Sequence, residues 1–479
     1  MEYYKSMEPK FSSSADVFAW ISRFINLERG QGAKTFRLDR MKVLAALADH
    51  PEGAAPAIHI AGSKGKGSVT GMITAVLEEA GLKTARYTSP HVAEYRERIT
   101  AGNDFFDESI YVEAGRELAS LADRLRRGPE GSSAGHTGPG DPGEAPALPF
   151  DDGGEPTFFE LLTLFFFLCA RRSRCDIMVV ETGMGGRLDA TNIVDPLVSV
   201  ITPIELEHTD YLGNTIAAVA GEKAGIVKPG KPLILAEQED EALAVFTGAA
   251  EKNRSPLCYF PEAAAIDKLR VHRQGVDFTL KFRGPGFFSS PLDLSVPIPG
   301  EVQARNAGLA VLALKTAFPS IEAKTIQAAL GKFRLPARFE TIRQAPLVVV
   351  DGAHTPKSVE YCVKTFITLY GRGGILLFGC AEGKDVESMA RALVHHFSHI
   401  IITTPGTFKA SDPGKVYGVF KKEAGPEPGG PVIELMKETK AAVQRAFELG
   451  RARELPVLGT GSFYLASEIR VLPAGPRQS

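Results

Sequence analysis

Apolar residues along the chain fall into short uninterrupted runs separated by longer stretches of helical periodicity. The runs Ala57-Ile-His-Ile-Ala-Gly62, Cys175-Asp-Ile-Met-Val-Val-Glu-Thr-Gly183 and Val198-Ser-Val-Ile-Thr-Pro-Ile204 have strand length and composition. Between and after them the pattern predicts helices from about Ser68 to Ala80, over Leu161 to Ala170, and from Ile216. Alternating β and α elements imply a parallel sheet covered on both faces. The Pro-rich stretch Pro291 to Gly300 interrupts this rhythm, and a second series follows. It predicts a helix at about Gln303 to Ala317 and strands within Ala345–His354, Gly373–Gly379, His399–Pro405 and Pro456–Ser462. A second α/β domain is therefore expected from near residue 297. Residues 128–155 are rich in Gly, Pro, Ser and acidic residues and bury too little apolar surface to offset their ordering entropy, so a mobile surface insertion is expected there. The two halves share a class but no repeat period.

Composition adds limits. With 479 residues, 44% hydrophobic and 23% charged, the chain is an ordinary globular protein of two or three domains. Lys+Arg 55 against Asp+Glu 57 gives a formal charge of −2, which argues against nucleic acid or an anionic membrane surface as the main partner. Five cysteines without a C-x-x-C pair suggest neither a disulfide framework nor a zinc ribbon, and fit a reducing compartment. The first residues lack the basic and apolar regions of a signal peptide, and no run approaches the roughly 18 apolar residues of a membrane span. A cytoplasmic location is the expectation.

The strongest local signal is the turn Gly62-Ser63-Lys64-Gly65-Lys66-Gly67-Ser68 between a strand and a helix. Glycines let successive N–H groups face phosphate oxygens, the helix N-terminus adds positive potential, and Lys66 adds a full charge. The match to G-x-x-x-x-G-K-[ST] is imperfect, because Gly67 separates Lys66 from Ser68. Next, Glu181 ends a strand before the glycine-rich loop Gly183 to Asn192. A carboxylate there faces the ligand crevice of a parallel sheet and suits magnesium, but a plain strand-end carboxylate fits the residues equally well. His208, after the third strand, and the pair Glu222-Lys223 read by physics alone as a satisfied histidine and a solvated helix face. In the second half, Arg338 and Asp351 flank a short strand and Asn306 opens a helix, with phosphate or ribose contacts weighed against surface ion pairs.

Taken in order, from Leu38-Asp-Arg40 to Gly459-Thr-Gly-Ser462-Phe-Tyr464, these segments resemble the folylpolyglutamate synthase and dihydrofolate synthase family within the Mur ligase group. The resemblance implies an α/β fold of Mur ligase architecture. An N-terminal P-loop NTPase-like parallel-sheet domain (1–296) would precede a smaller C-terminal Rossmann-like domain (297–479). It implies that Ser63, Lys64, Gly65, Lys66, Gly67 and Ser68 cradle ATP, with Asn306, Arg338 and Asp351 as nucleotide contacts across a cleft between domains. It assigns Ser89, Glu181 and His208 to magnesium, two ions in all, and matches Lys223 to a lysine carbamylated in the family. Lys66, His208 and Lys223 become the catalytic set. Thr157, Phe158, Phe159 and Glu160, with Leu188, Asp189 and Ala190, match positions associated with the pterin substrate. The implied reaction transfers the γ-phosphoryl of ATP to a folate or dihydropteroate carboxylate, and the amine of L-glutamate attacks the acyl phosphate. The resemblance implies a monomer acting on small molecules. Departures are Ser63-Lys64 where Thr-Asn is common, which adds a cation beside the phosphates, Glu207 for Asp, Val302 for His, Thr355 for Asn and Gly383 for Asp. Two rivals are another Mur-type amino-acid ligase, which would lack the Thr157 to Glu160 segment, and a P-loop nucleotide switch, whose N-K-x-D signature is absent.

Overall fold

The computed structural model describes residues 10–26, 37–127, 156–284, 286–406, 410–426 and 429–471. The insertion expected at 128–155 lies outside the described residues. The first half forms a seven-stranded sheet from β1 (Ala57–Ala61), β2 (Thr84–Tyr87), β3 (Ile99–Ala101), β4 (Ile177–Glu181), β5 (Val198–Ile201), β6 (Leu233–Leu235) and β7 (Leu257–Tyr259), in the order β3-β2-β4-β1-β5-β6-β7. All neighbours are parallel except β2 and β3. Every residue of β1 and β4 is buried, as continuous apolar runs at the centre of a doubly covered sheet require. After β1 the chain runs to one side of the sheet, and after β4 it crosses to the other, so the switch point lies at the carboxyl ends of β1, β4 and β5.

One face is covered by the helix Phe158–Ser173, buried all round from Leu161 to Ala170 and packed with the helix Glu108–Arg127. The other face carries the helix Lys66–Glu79, which starts two residues ahead of the expected Ser68, directly from the glycine turn. A third element of the first half was not expected: an antiparallel sheet of β8 (Ala264–His272), β9 (Gly275–Phe282) and β10 (Leu292–Val296). Its signal is strict alternation, with Val276, Phe278 and Leu280 facing Leu292, Leu294 and Val296 inside. Two prolines flanking β10 disguise it as a linker.

The second half holds a six-stranded sheet of β11 (Glu340–Gln344), β12 (Leu347–Val350), β13 (Gly374–Phe378), β14 (Phe397–Ile402), β15 (Val432–Leu435) and β16 (Val457–Thr460), ordered β11-β12-β16-β13-β14-β15. Only β11 runs antiparallel. The helices Glu301–Ala317 and Ala323–Lys332 pack into one core with Val69, Met72 and Ile73 of the phosphate-loop helix and with the antiparallel sheet. Their apolar faces have no place in the second sheet, whose own cores begin with Ala337 and Phe339.

Candidate active site

Register brings three chain crossings to one edge. Ile60 pairs Glu181 and Ala61 pairs Ile201, so the phosphate loop, the Glu181 loop and the segment from Thr202 leave the sheet side by side. The loops after β12 and β16 face them, and together they line a cleft of about 1590 Å³. Ser63, Lys64, Gly65, Lys66, Gly67, Ser68, Ser89, Glu181, His208, Asn306, Arg338 and Asp351 all line it. Gly65 adopts φ +88, and a Cβ there would lie 2.6 Å from Asn306 Oδ1, so only glycine lets the loop reach the helix Glu301–Ala317. The N–H groups of Ser63 and Lys64 donate to Pro203 O at 3.0 and 3.2 Å. No side chain caps the helix from Lys66, whose first-turn N–H groups lack the intrahelical acceptors of later turns.

Two ammonium groups converge on one carbonyl. Lys66 Nζ donates to Gly62 O at 2.9 Å and Lys223 Nζ at 2.8 Å. Glu207 balances them, accepting from Lys223 at 3.0 Å with Lys64 Nζ at 3.6 Å. Burial works against the Glu207 carboxylate, but Lys223, Lys66 and Lys64 hold it well below the usual range. Lys223 is 1% exposed, so the solvated-face reading fails; it is Glu222 that pairs outside, with Arg187 at 2.8 Å. Burial pushes the Lys223 amine down to about 8, with Glu207 opposing. His208 stands open to the cleft at φ 50, with Glu207, Lys384, Lys66 and Lys223 around it.

Glu181 is 3% exposed, and burial raises its carboxyl to about 7 against the pull of Lys66. Its Oε2 has no hydrogen-bond partner and would lie 3.6 Å from a Cβ on Gly67. A buried, unpartnered hard oxygen beside a phosphate loop fits magnesium. Among the described residues no three His, Cys, Asp or Glu side chains converge. That also suits magnesium, which takes one or two carboxylates and completes its shell with phosphate oxygens and water.

On the opposite wall, the Arg338 guanidinium stacks 4.1 Å over the Phe463 ring. Asp351 accepts from Phe339 N at 2.8 Å and Ala353 N at 2.7 Å, so both oxygens shape the loop after β12. His354 Nδ1 meets Gly352 O at 2.8 Å, and burial pushes its imidazole far down.

Thr157, Phe159, Glu160, Leu188, Asp189 and Ala190 also line the cleft. Phe158 does not: it is 1% exposed, turned into the core by the helical rotation and set against Tyr95 and the Arg98 guanidinium. Thr157 and Glu160 form a capping box, and Glu160 also takes Arg40 Nε at 2.8 Å, both side chains 7% exposed.

With this geometry in place, comparison with known proteins is direct. The Mur ligase middle domain matches residues 153–314, and the Mur ligase, glutamate ligase domain matches 337–463. The dihydrofolate synthase/folylpolyglutamate synthase of Bacillus subtilis (strain 168) is 31% identical over 96% of this chain and 99% of its own. The chain belongs to the folylpolyglutamate synthase/dihydrofolate synthase family. A second family member, the folylpolyglutamate synthase of Lacticaseibacillus casei, is 30% identical over 95% of this chain and 97% of its own. The Mycobacterium tuberculosis folylpolyglutamate synthase complexed with ADP and AMPPCP superposes with TM-score 0.81 at 25% identity, covering 97% of this chain and all (100%) of that one. Within this family fold, the Glu207 hub and the Phe463 platform under Arg338 escaped the motif reading. Each joins segments far apart in the chain, Lys64 to Glu207 and Arg338 to Phe463, and no local spacing encodes either. The Thr157-x-x-Glu160 capping box escaped as well, since the helix was expected from Leu161, although its spacing spells a helix start in sequence.

Proposed function

We propose that this chain joins L-glutamate to a folate-type carboxylate, that of tetrahydrofolate, dihydropteroate or both, at the expense of ATP. The observation that carries the reading is one cleft lined by a phosphate loop, a buried carboxylate with one unpartnered oxygen, a stacked arginine and a half-buried phenylalanine. A carboxylate is a poor electrophile toward an amine, so the γ-phosphoryl group first moves from ATP to the substrate carboxylate. The glutamate amine then attacks the acyl phosphate, and ADP and phosphate leave. The Lys66 ammonium and the first turn of its helix favour charge on phosphoryl oxygens, and Arg338 offers a planar fork from the far wall. Closing the two walls excludes water that would hydrolyse the acyl phosphate.

Glu181, with Ser89 and His208, would hold magnesium, which when bound neutralises phosphate charge. Lys223 is the residue to carry a carbamate. Its depressed basicity leaves more neutral amine, which adds CO₂, loses a proton and becomes a carboxylate fit for a second ion. We place the enzyme in the cytoplasm as a monomer acting on small molecules; no helix among the described residues is long and apolar enough to cross a membrane.

The test is ADP release by purified protein with MgATP and L-glutamate, with dihydropteroate in one reaction and tetrahydrofolate in another. Activity with either supports the proposal, and Lys66→Ala abolishes it while the circular dichroism spectrum is retained. Unchanged turnover in that variant overturns the assignment of Lys66. ATP hydrolysis indifferent to glutamate and folate points instead to a nucleotide switch, and silence with bound ATP to another Mur-type acceptor.

A further inference from the structure

His59 lies in the middle of β1, fully buried at 0% exposure, three residues before the phosphate loop. Its Nε2 is 2.9 Å from Thr191 Oγ1, and its Nδ1 has no partner. Thr191 Oγ1 is in turn 2.5 Å from Asp189 Oδ1. Asp189 accepts three backbone N–H groups as well, from Thr191 at 3.0 Å, Gly183 at 3.0 Å and Met184 at 2.9 Å. Four donors on two oxygens define an ionised, acceptor-only carboxylate. The single Thr191 hydroxyl proton must therefore point at Asp189, and the hydroxyl can only accept from the histidine. That fixes the imidazole as the Nε2–H tautomer, with Nδ1 bare in an apolar strand layer.

We infer that His59 is a positioning residue for the substrate end of the cleft, acting through Thr191 on Asp189. Asp189 is then not a ligand with a free oxygen; it is the anchor of the loop Gly183 to Ala190. That loop lines the cleft and presses on Phe159, whose Cζ lies 2.3 Å from where a Gly183 Cβ would be. The relay ties this loop to the same strand that carries the phosphate loop, so both loops are set from β1. His59 touches no substrate in this arrangement. Its effect is confined to the pterin-side acceptor, the reading of the cleft on which this inference rests.

Two measurements separate the inference from that reading. The first needs no turnover: ¹⁵N-detected imidazole signals of the full chain, assigned by loss in His59→Gln, report the tautomer. A protonated Nε2 is expected, and a protonated Nδ1 overturns the relay. The second uses Thr191→Val, which removes the hydroxyl at nearly constant volume, and Thr191→Ser, which restores it. Loss of one charge-assisted hydrogen bond predicts about a tenfold rise in KM for the pterin-side acceptor in Thr191→Val, with smaller changes in kcat and in KM for ATP. Thr191→Ser returns KM toward the wild-type value. Equal rises in both KM values, or no rise in either, overturn the positioning role. If the wild-type chain itself shows no glutamate-dependent turnover, the functional reading fails, and the tautomer still decides the relay.

Discussion

Glu181 is held in the protein at a cost to stability. Its carboxyl is raised from 4.5 to about 7 because burial penalises the charged form more than Lys66 and the Ser89 N–H favour it. Below the unfolded value both states are protonated and the penalty vanishes; as pH rises to about 7 the unfolded chain ionises first, and stability falls. Above that, the full penalty is present, on the order of 3 kcal/mol. Ligand-free Glu181→Gln is therefore expected to unfold at a higher temperature than the wild type at pH 8, and at nearly the same temperature near pH 4.5. Scanning calorimetry of both proteins without nucleotide or magnesium checks this, and an equal shift at the two pH values contradicts it. Under the magnesium role proposed for Glu181, the same variant is expected to lose ligase turnover, since an amide replaces the anionic oxygen. Stability is given up where charge is later matched.

At the scale of elements, the helix Phe158–Ser173 shows how a start signal and a wall of the cleft coincide. Thr157 accepts from Glu160 N, Glu160 Oε2 accepts from Thr157, and both oxygens of the same carboxylate take Arg40 Nε from the helix Leu38–Leu47. Thr157→Ala removes the cap and one hydroxyl donor to Glu160 while leaving the ion pair, and is expected to cost about 1 kcal/mol. Arg40→Ala leaves a buried carboxylate without its cation, and the expected loss is larger, about 3–5 kcal/mol. Urea titration followed by far-UV circular dichroism ranks the two, and a costlier Thr157→Ala would show that the cap, not the ion pair, secures this wall. The antiparallel sheet β8–β10 teaches the complementary lesson. Its alternation was present in the sequence, but proline at its edge outweighed period two in the reading.

At the scale of the molecule, the two large sheets meet with their carboxyl ends across one cleft, and the first unit is completed by chain that follows the antiparallel sheet. We propose that this unit runs to about residue 335. The helices Glu301–Ala317 and Ala323–Lys332 contribute Leu309, Leu312, Ile326 and Leu330 to the core around the phosphate-loop helix. A fragment ending at residue 297 exposes that core and is expected to aggregate, whereas one ending at 335 stays soluble with native-like circular dichroism. Gel filtration of both fragments decides between the boundaries.

What the sequence determined by itself was local: the strand runs, the glycine turn into the helix at Lys66, the cap at Thr157, and the order of motifs that marks the family. These depend on neighbours within a few residues, where backbone sterics and periodicity act. Tertiary structure alone decided the rest. It buried Lys223 and set it with Lys66 on the Gly62 carbonyl, turned Phe158 inward while leaving Phe159 at the cleft, closed Asp189 with four donors, and seated Arg338 on Phe463. Burial and charge at these sites arise from segments far apart in the chain, and their pKa values and hydrogen bonds exist only once the sheets bring those segments together.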